Sequence, residues 1–237
     1  MPIFSRGDVH IHYEVTGRPD GPAVLLIAPG GMRSAAAMWS RLSWDPRARL
    51  VDHRVIAMDQ RNAGASRAPV RQGDGWDTYT ADQLALLDHL GVERFDVVGM
   101  CIGGAYIMGL IRHAPARVRS AVMFQPIGLD DNRDAFYRMF DGWVEEIGAE
   151  HPEADASVWE GFKRAMFGGT FLFNADRDEV AACRTPLMLL QGDDLYHPKS
   201  VSEELAGLAS DVTVIECWKA PERVEAAGAA VLEFLTR

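Results

Sequence analysis

Seven short apolar segments, most of them separated by stretches of helical periodicity, restrict this chain more than any other feature. Six are near-continuous runs: Ala23 to Pro29 (AVLLIAP), His53 to Asp59 (HRVIAMD), Phe95 to Met100 (FDVVGM), Ser120 to Gln125 (SAVMFQ), Thr185 to Gly192 (TPLMLLQG) and Val212 to Glu216 (VTVIE). A strand takes that composition when both its faces are covered. The seventh, Val9 to Val15 (VHIHYEV), alternates, as an antiparallel strand with one wet face does. Between them, TYTADQLALLDHLG spaces Leu84, Leu87 and Leu90 for one helix face and stops at Gly91. GGAYIMGLIRHAP ends before Pro115, SVSEELAGLA opens on a capping Ser200, and PERVEAAGAAVLEFL puts Pro221 in a first helical turn. Strand and helix in alternation predict an α/β fold, with a mostly parallel sheet and helices on both faces.

One segment breaks the alternation. Leu129 to Cys183 has helical patterns, no convincing strand and nine of the 21 aromatic residues, Trp143 and Trp159 among them. The expected organisation is therefore a core of residues 1–128 and 185–237 carrying a helical cap insertion, 129–184. Most of the rings would bind the insertion to the core, and a few would line a pocket.

Composition narrows the partners. The 237 residues carry a net charge of −10 and no Lys/Arg run, which argues against nucleic acid and anionic membranes. The N-terminus shows no secretory pattern, and no apolar segment approaches a membrane span. Cys101, Cys183 and Cys217 form no C-x-x-C pair, which suits a reducing cytoplasm and argues against disulfides or structural zinc. No ligand cluster or phosphate loop calls for a metal or organic cofactor. The expected partner is a small-molecule substrate. The oligomeric state stays open.

The chemistry centres on Gly99-Met100-Cys101-Ile102-Gly103, a G-x-nucleophile-x-G pattern between a buried strand and a helix. A nucleophile on that tight turn needs small neighbours two positions away. A helix N-terminus also favours a thiolate. The alternative reading of Cys101 is a small buried apolar residue.

These residues resemble the α/β-hydrolase superfamily over nearly the whole chain. AVLLIAPGGMRSAAAMW is similar to its third strand and oxyanion-hole loop, with Pro29 where many relatives carry His. VIAMDQRNAGAS resembles its D-x-R-G-x-G-x-S loop, with Asn62 in place of the first Gly. A cysteine at the elbow resembles the dienelactone-hydrolase branch. The resemblance implies an eight-stranded sheet, with an insertion after the sixth strand. It also implies an oxyanion hole from the N–H of Ile102 and one from the PGGM loop, Gly31 first and Met32 second. In QGDDLYHPKS the family's acid maps onto Asp194, with Asp193 the weaker candidate.

The family then places a catalytic His after the last strand, and here that loop reads VTVIECWKAPERV, with no His beyond His197. His10, His12, His53, His89 and His113 belong to elements expected to lie far from the elbow. His197, on the acid loop, is the expected base. His151 in the insertion and the Glu216–Lys219 loop are the alternatives. Trp143 and Trp218 are the expected substrate-binding rings. The expected function is hydrolysis by a cysteine nucleophile of a small, partly apolar activated acyl compound: an enol lactone, aryl ester or thioester. The alternatives are a non-catalytic ligand-binding or interaction protein, an acyltransferase and a lyase.

Overall fold

The computed structural model describes residues 2–236; residues 1 and 237, the outermost of the expected core, lie outside them. The sheet has eight strands: β1 (Ile3–Arg6), β2 (Val9–Gly17), β3 (Ala23–Ile27), β4 (Arg54–Met58), β5 (Phe95–Met100), β6 (Val118–Phe124), β7 (Leu187–Leu190) and β8 (Val212–Ile215). Their spatial order is β1-β2-β4-β3-β5-β6-β7-β8. β2 pairs antiparallel with β1 and β4, and every pairing from β4 across to β8 is parallel. β1 is the strand without a distinct apolar run; it is half of a hairpin whose residues are mostly exposed.

The helices are α1 (Pro46–Arg49), α2 (Trp76–His89), α3 (Ile102–His113), α4 (Arg133–Ile147), α5 (Ala156–Phe167), α6 (Arg177–Ala182), α7 (Lys199–Leu208) and α8 (Pro221–Leu235). Two apolar layers enclose the sheet, one gathering α2, α3 and the rings of α4 and α5, the other α8 with Trp39 and Trp44. β5 is buried along its whole length, which is why its sequence is apolar without alternation. Between β6 and β7 the chain makes α4, a short 3-10 turn, α5 and α6. Among the described residues no helix is long and apolar enough to cross a membrane.

The loop after β4 explains its own sequence. Asp59 accepts hydrogen bonds from the N–H of Ala36 (2.7 Å) and Ala65 (2.8 Å), and His12 Nδ1 lies 2.9 Å from its Oδ2. Asn62 stands at φ 57°, and its Oδ1 accepts from Ala68 N–H at 2.7 Å. Asn enters that left-handed region more readily than other residues with a side chain, so it can occupy the position the family gives to Gly.

Candidate active site

β5 delivers Cys101 to the start of α3 with φ 61° and ψ −117°, a conformation outside the ordinary regions for an L-residue. Such strain costs about 1–3 kcal/mol and persists only where the surroundings impose it. Here the flanking chain packs too closely to relax. A Cβ on Gly99 would lie 2.8 Å from the backbone of Gly103, and one on Gly103 would lie 2.9 Å from the carbonyl of Ile27. Cys101 N–H donates to Phe124 O (2.9 Å), which ties the turn to the end of β6.

The end of β7 supplies the neighbours. Residues 194 to 197 close a tight turn, with Asp194 N–H donating to His197 O (3.2 Å) and His197 N–H to Asp194 O (3.1 Å). His197 Nδ1–H donates to the Asp194 carboxylate, 2.7 Å from Oδ1 and 2.9 Å from Oδ2. Tyr196 N–H adds a bond to Oδ1 at 3.0 Å. Gly192 makes the turn possible, because a Cβ there would sit 2.7 Å from His197 Cβ. The other ring nitrogen of His197, Nε2, is buried and has no hydrogen-bond partner. Cys101 and His197 line one cavity of about 220 Å3, walled by Ile127, Phe136, Met139, Phe167 and Tyr196.

The three groups perturb one another. Burial opposes a Cys101 thiolate, but His197, helped by the N–H groups of Gly30 and Ile102, outweighs it and lowers the thiol pKa. Burial also opposes an imidazolium, yet Cys101 and Asp194 together raise the pKa of His197. Asp194 is lowered against its own burial by His197 and the turn's N–H groups. Each shift is thus in the direction of the charged form: thiolate, imidazolium and carboxylate. Nε2 makes no hydrogen bond of ordinary geometry, yet the direct side-chain interaction between thiol and ring is the largest influence of each on the other, ahead of their charge attraction. Cys183 is the opposite case, its thiol pushed up by burial.

The sequence expectations fare unevenly in this geometry. Cys101, Ile102, Asp194 and His197 are together. Gly31 lines the pocket, but the loop amide acting on the sulfur is that of its neighbour Gly30. Trp143 is a correction: it is 1% exposed, packed edge-on against Phe140, Trp159 and Phe162, and absent from the Cys101 pocket. A large ring pointing into the insertion gains more from burial there than at a pocket wall. Trp218 is a second correction: it donates its indole N–H to Gln191 O at 2.9 Å, meets Phe124 edge-on and lines a different cavity. His151 is held by Glu153, at 2.9 Å, in the insertion, outside the pocket. Lys219, in the loop where the family carries its His, pairs with Asp193 and lies 3.6 Å from Asp194 Oδ2. The pocket walls Phe136 and Met139 were missed. Their spacing of three on α4 marked a shared face, but not which end of it overlies the elbow.

The chain's likenesses agree with this architecture. The family model described as alpha/beta hydrolase fold matches residues 23–176, from β3 into the insertion. The protein named "Putative carbamate hydrolase RutD" from Variovorax paradoxus (strain S110) is 29% identical over 236 residues, covering 86% of this chain and 86% of that protein. The non-heme haloperoxidase of Rhodococcus erythropolis is 28% identical over 178 residues, 60% of this chain and 65% of the other. Among solved structures, a hydrolase from Pseudomonas aeruginosa PA01 superposes with a TM-score of 0.75 at 22% identity, over 100% of this chain and 98% of that one. The enol-lactonase of Burkholderia xenovorans LB400 superposes with a TM-score of 0.71 at 20% identity, over 100% of both chains. With the family match spanning four of the eight strands and well over half of the chain, and the strained elbow inside it, the chain belongs to the α/β-hydrolase fold family.

Proposed function

We propose that this hydrolase uses Cys101 as its nucleophile and His197, oriented by Asp194, as its acid and base. One observation carries the reading: thiol and imidazole share a buried pocket, and each shifts the other toward its charged form. The Cys101 thiolate adds to the acyl carbon, and the carbonyl π pair moves to oxygen. The N–H groups of Ile102 and the Gly30–Gly31 turn stabilise that oxyanion. As the carbonyl re-forms, the bond to the leaving group breaks, and imidazolium His197 gives the leaving group its proton. Neutral His197 then takes a proton from water, the hydroxide adds to the thioester, and the thiolate is expelled with the acid as product.

The substrate class is a matter of rate. His197 gives every leaving group a proton, and groups that are already weak bases need that help least. Enolates, phenolates and thiolates are such groups, so we assign enol lactones, aryl esters and thioesters as the fastest substrates. The pocket's apolar walls and about 220 Å3 suit a short apolar acyl group. Residues 129–184 act as the cap over that pocket. We propose a reducing compartment, the cytoplasm, with which three free cysteines are consistent. The test is mass spectrometry of the intact protein mixed with aryl esters and thioesters of short acids. An acyl adduct on Cys101 that water removes is expected. Turnover that persists in Cys101→Ala overturns the assignment, and so does binding without any adduct.

A further inference from the structure

A second cavity, of about 310 Å3, touches the site through Asp194 but has neither Cys101 nor His197 in its walls. Its walls are largely aromatic. Trp44 stacks on Phe124 with ring centroids 5.6 Å apart and planes 27° from parallel, and Trp218 meets the same Phe124 edge-on at 5.3 Å. Trp39 completes the wall, and its indole N–H is buried with no hydrogen-bond partner. Gln125 lines the cavity from the end of β6. It is 9% exposed, its backbone is held at φ 37°, and its Oε1 is buried and unpartnered. Native interiors rarely leave such groups unpaired; both residues line this one cavity, and a small side-chain rotation would bring each group to a bound molecule. Two charged residues line the cavity, and each has a partner: Lys219 pairs with Asp193, and Asp194 with His197 at 2.7 Å.

From this lining we infer that the cavity is a second binding site, for a flat, uncharged heteroaromatic molecule carrying one hydrogen-bond donor and one acceptor. The rings select a planar partner, because stacked and edge-on contacts reward aromatic faces beyond the area they bury. The Gln125 amide and the Trp39 N–H select the donor and acceptor. The paired charges select against net charge. An apolar cavity of roughly 150 Å3 takes benzene, so this one has room for two fused rings. The occupant lies against the carboxylate that orients His197. The inference does not depend on Cys101 being a nucleophile.

The test uses 5-fluoroindazole, which carries one N–H donor and one ring-nitrogen acceptor, followed by 19F NMR, on the full chain after its Cys101 pocket has been filled by alkylation with iodoacetamide. Saturable binding with a dissociation constant of about 1 mM or tighter is expected. Ser43 is an exposed residue of the cavity rim. Ser43→Trp should weaken binding about tenfold or more by filling the mouth, with the rate of Cys101 alkylation in the unmodified variant unchanged as a check on the fold. Fluorocyclohexane, a smaller ring with neither a π face nor a hydrogen-bonding N–H, should bind far more weakly. No saturation by several millimolar overturns the inference, as does undiminished binding to Ser43→Trp or equal binding of fluorocyclohexane. Acyl-enzyme formation on Cys101 is measured separately, so either reading can fail alone.

Discussion

At the scale of single residues, the proposed mechanism rests on one imidazole and one thiol, each shifting the other toward its charged form. Cys101 is lowered from an ordinary thiol value of 9.0 and His197 is raised from 6.5. The signs set the pH profile. Thiolate persists to lower pH than in a free thiol, and imidazolium persists to higher pH than in a free imidazole. Alkylation of Cys101 by iodoacetamide should therefore rise on an acid limb displaced below the usual thiol range. Turnover, which also needs the imidazolium, should fall on an alkaline limb above 6.5. His197→Ala removes the thiol's main support, so turnover at pH 7 should drop on the order of a hundredfold, with the deficit shrinking towards pH 9. An unchanged profile in that variant would sink the base assignment. Peptide mapping after limited alkylation should find Cys101 labelled well ahead of Cys183, whose thiol burial holds in the protonated form.

At the scale of elements, α4 does two separate jobs at its beginning. Asn132 precedes the helix, is 4% exposed, and donates from Nδ2 to Gly128 O (3.0 Å) and to Leu195 O (2.7 Å). Leu195 lies inside the turn that carries Asp194 and His197, so Asn132 ties that turn to the root of the insertion. Asn132→Ala leaves Leu195 O without this donor and frees the turn. The acid limb of Cys101 alkylation should move up towards pH 9, and kcat should fall, while KM stays within about twofold. A lower melting temperature with an unmoved pH profile would reduce Asn132 to a structural part. One turn further on, Phe136 and Met139 wall the pocket, while Trp143 faces away into the insertion. Met139→Ala should thus shift the preferred acyl chain towards longer lengths, measured by kcat/KM across a homologous ester series. Trp143→Ala should keep the ranking and cost about 3–5 kcal/mol of stability, as emptying a buried aromatic site does.

At the scale of the whole molecule, the segment between β6 and β7 shares an apolar layer with α2 and α3 and adds a few polar ties to the rest of the chain. Arg33 makes two bonds of 2.7 Å to Glu146, Trp76 donates to Met166 O at 2.7 Å, and Glu153 accepts from Val70 N–H at 2.9 Å. The Val70 bond and His151 pull the Glu153 pKa from 4.5 to about 2. A depressed carboxylate stabilises the folded state above its unfolded pKa and loses that contribution as pH falls through the folded one. The tie should weaken between 4.5 and about 2, seen as a change in tryptophan emission that Glu153→Gln removes from that window. This arrangement of insertion on sheet also separates what the sequence could reveal from what it could not. Strand and helix alternation and the left-handed Asn62 depend on neighbours a few residues away, so their patterns are written locally; the turn at Cys101 is marked locally by Gly99 and Gly103, although Ile27 and Phe124 hold it. Asp194 and His197 are three residues apart, and the turn joining them was legible as a possibility on one loop. That this loop faces Cys101 follows from β7 lying beside β6, and β6 beside β5. The sorting of the aromatic rings was less legible still. Phe136, Trp143 and Trp218 are all large and buried, and composition treats them alike. Only the docking of α4 over the elbow, and of the β8 loop against Phe124, decided which ring walls the Cys101 pocket, because those contacts join segments that sequence periodicity does not connect.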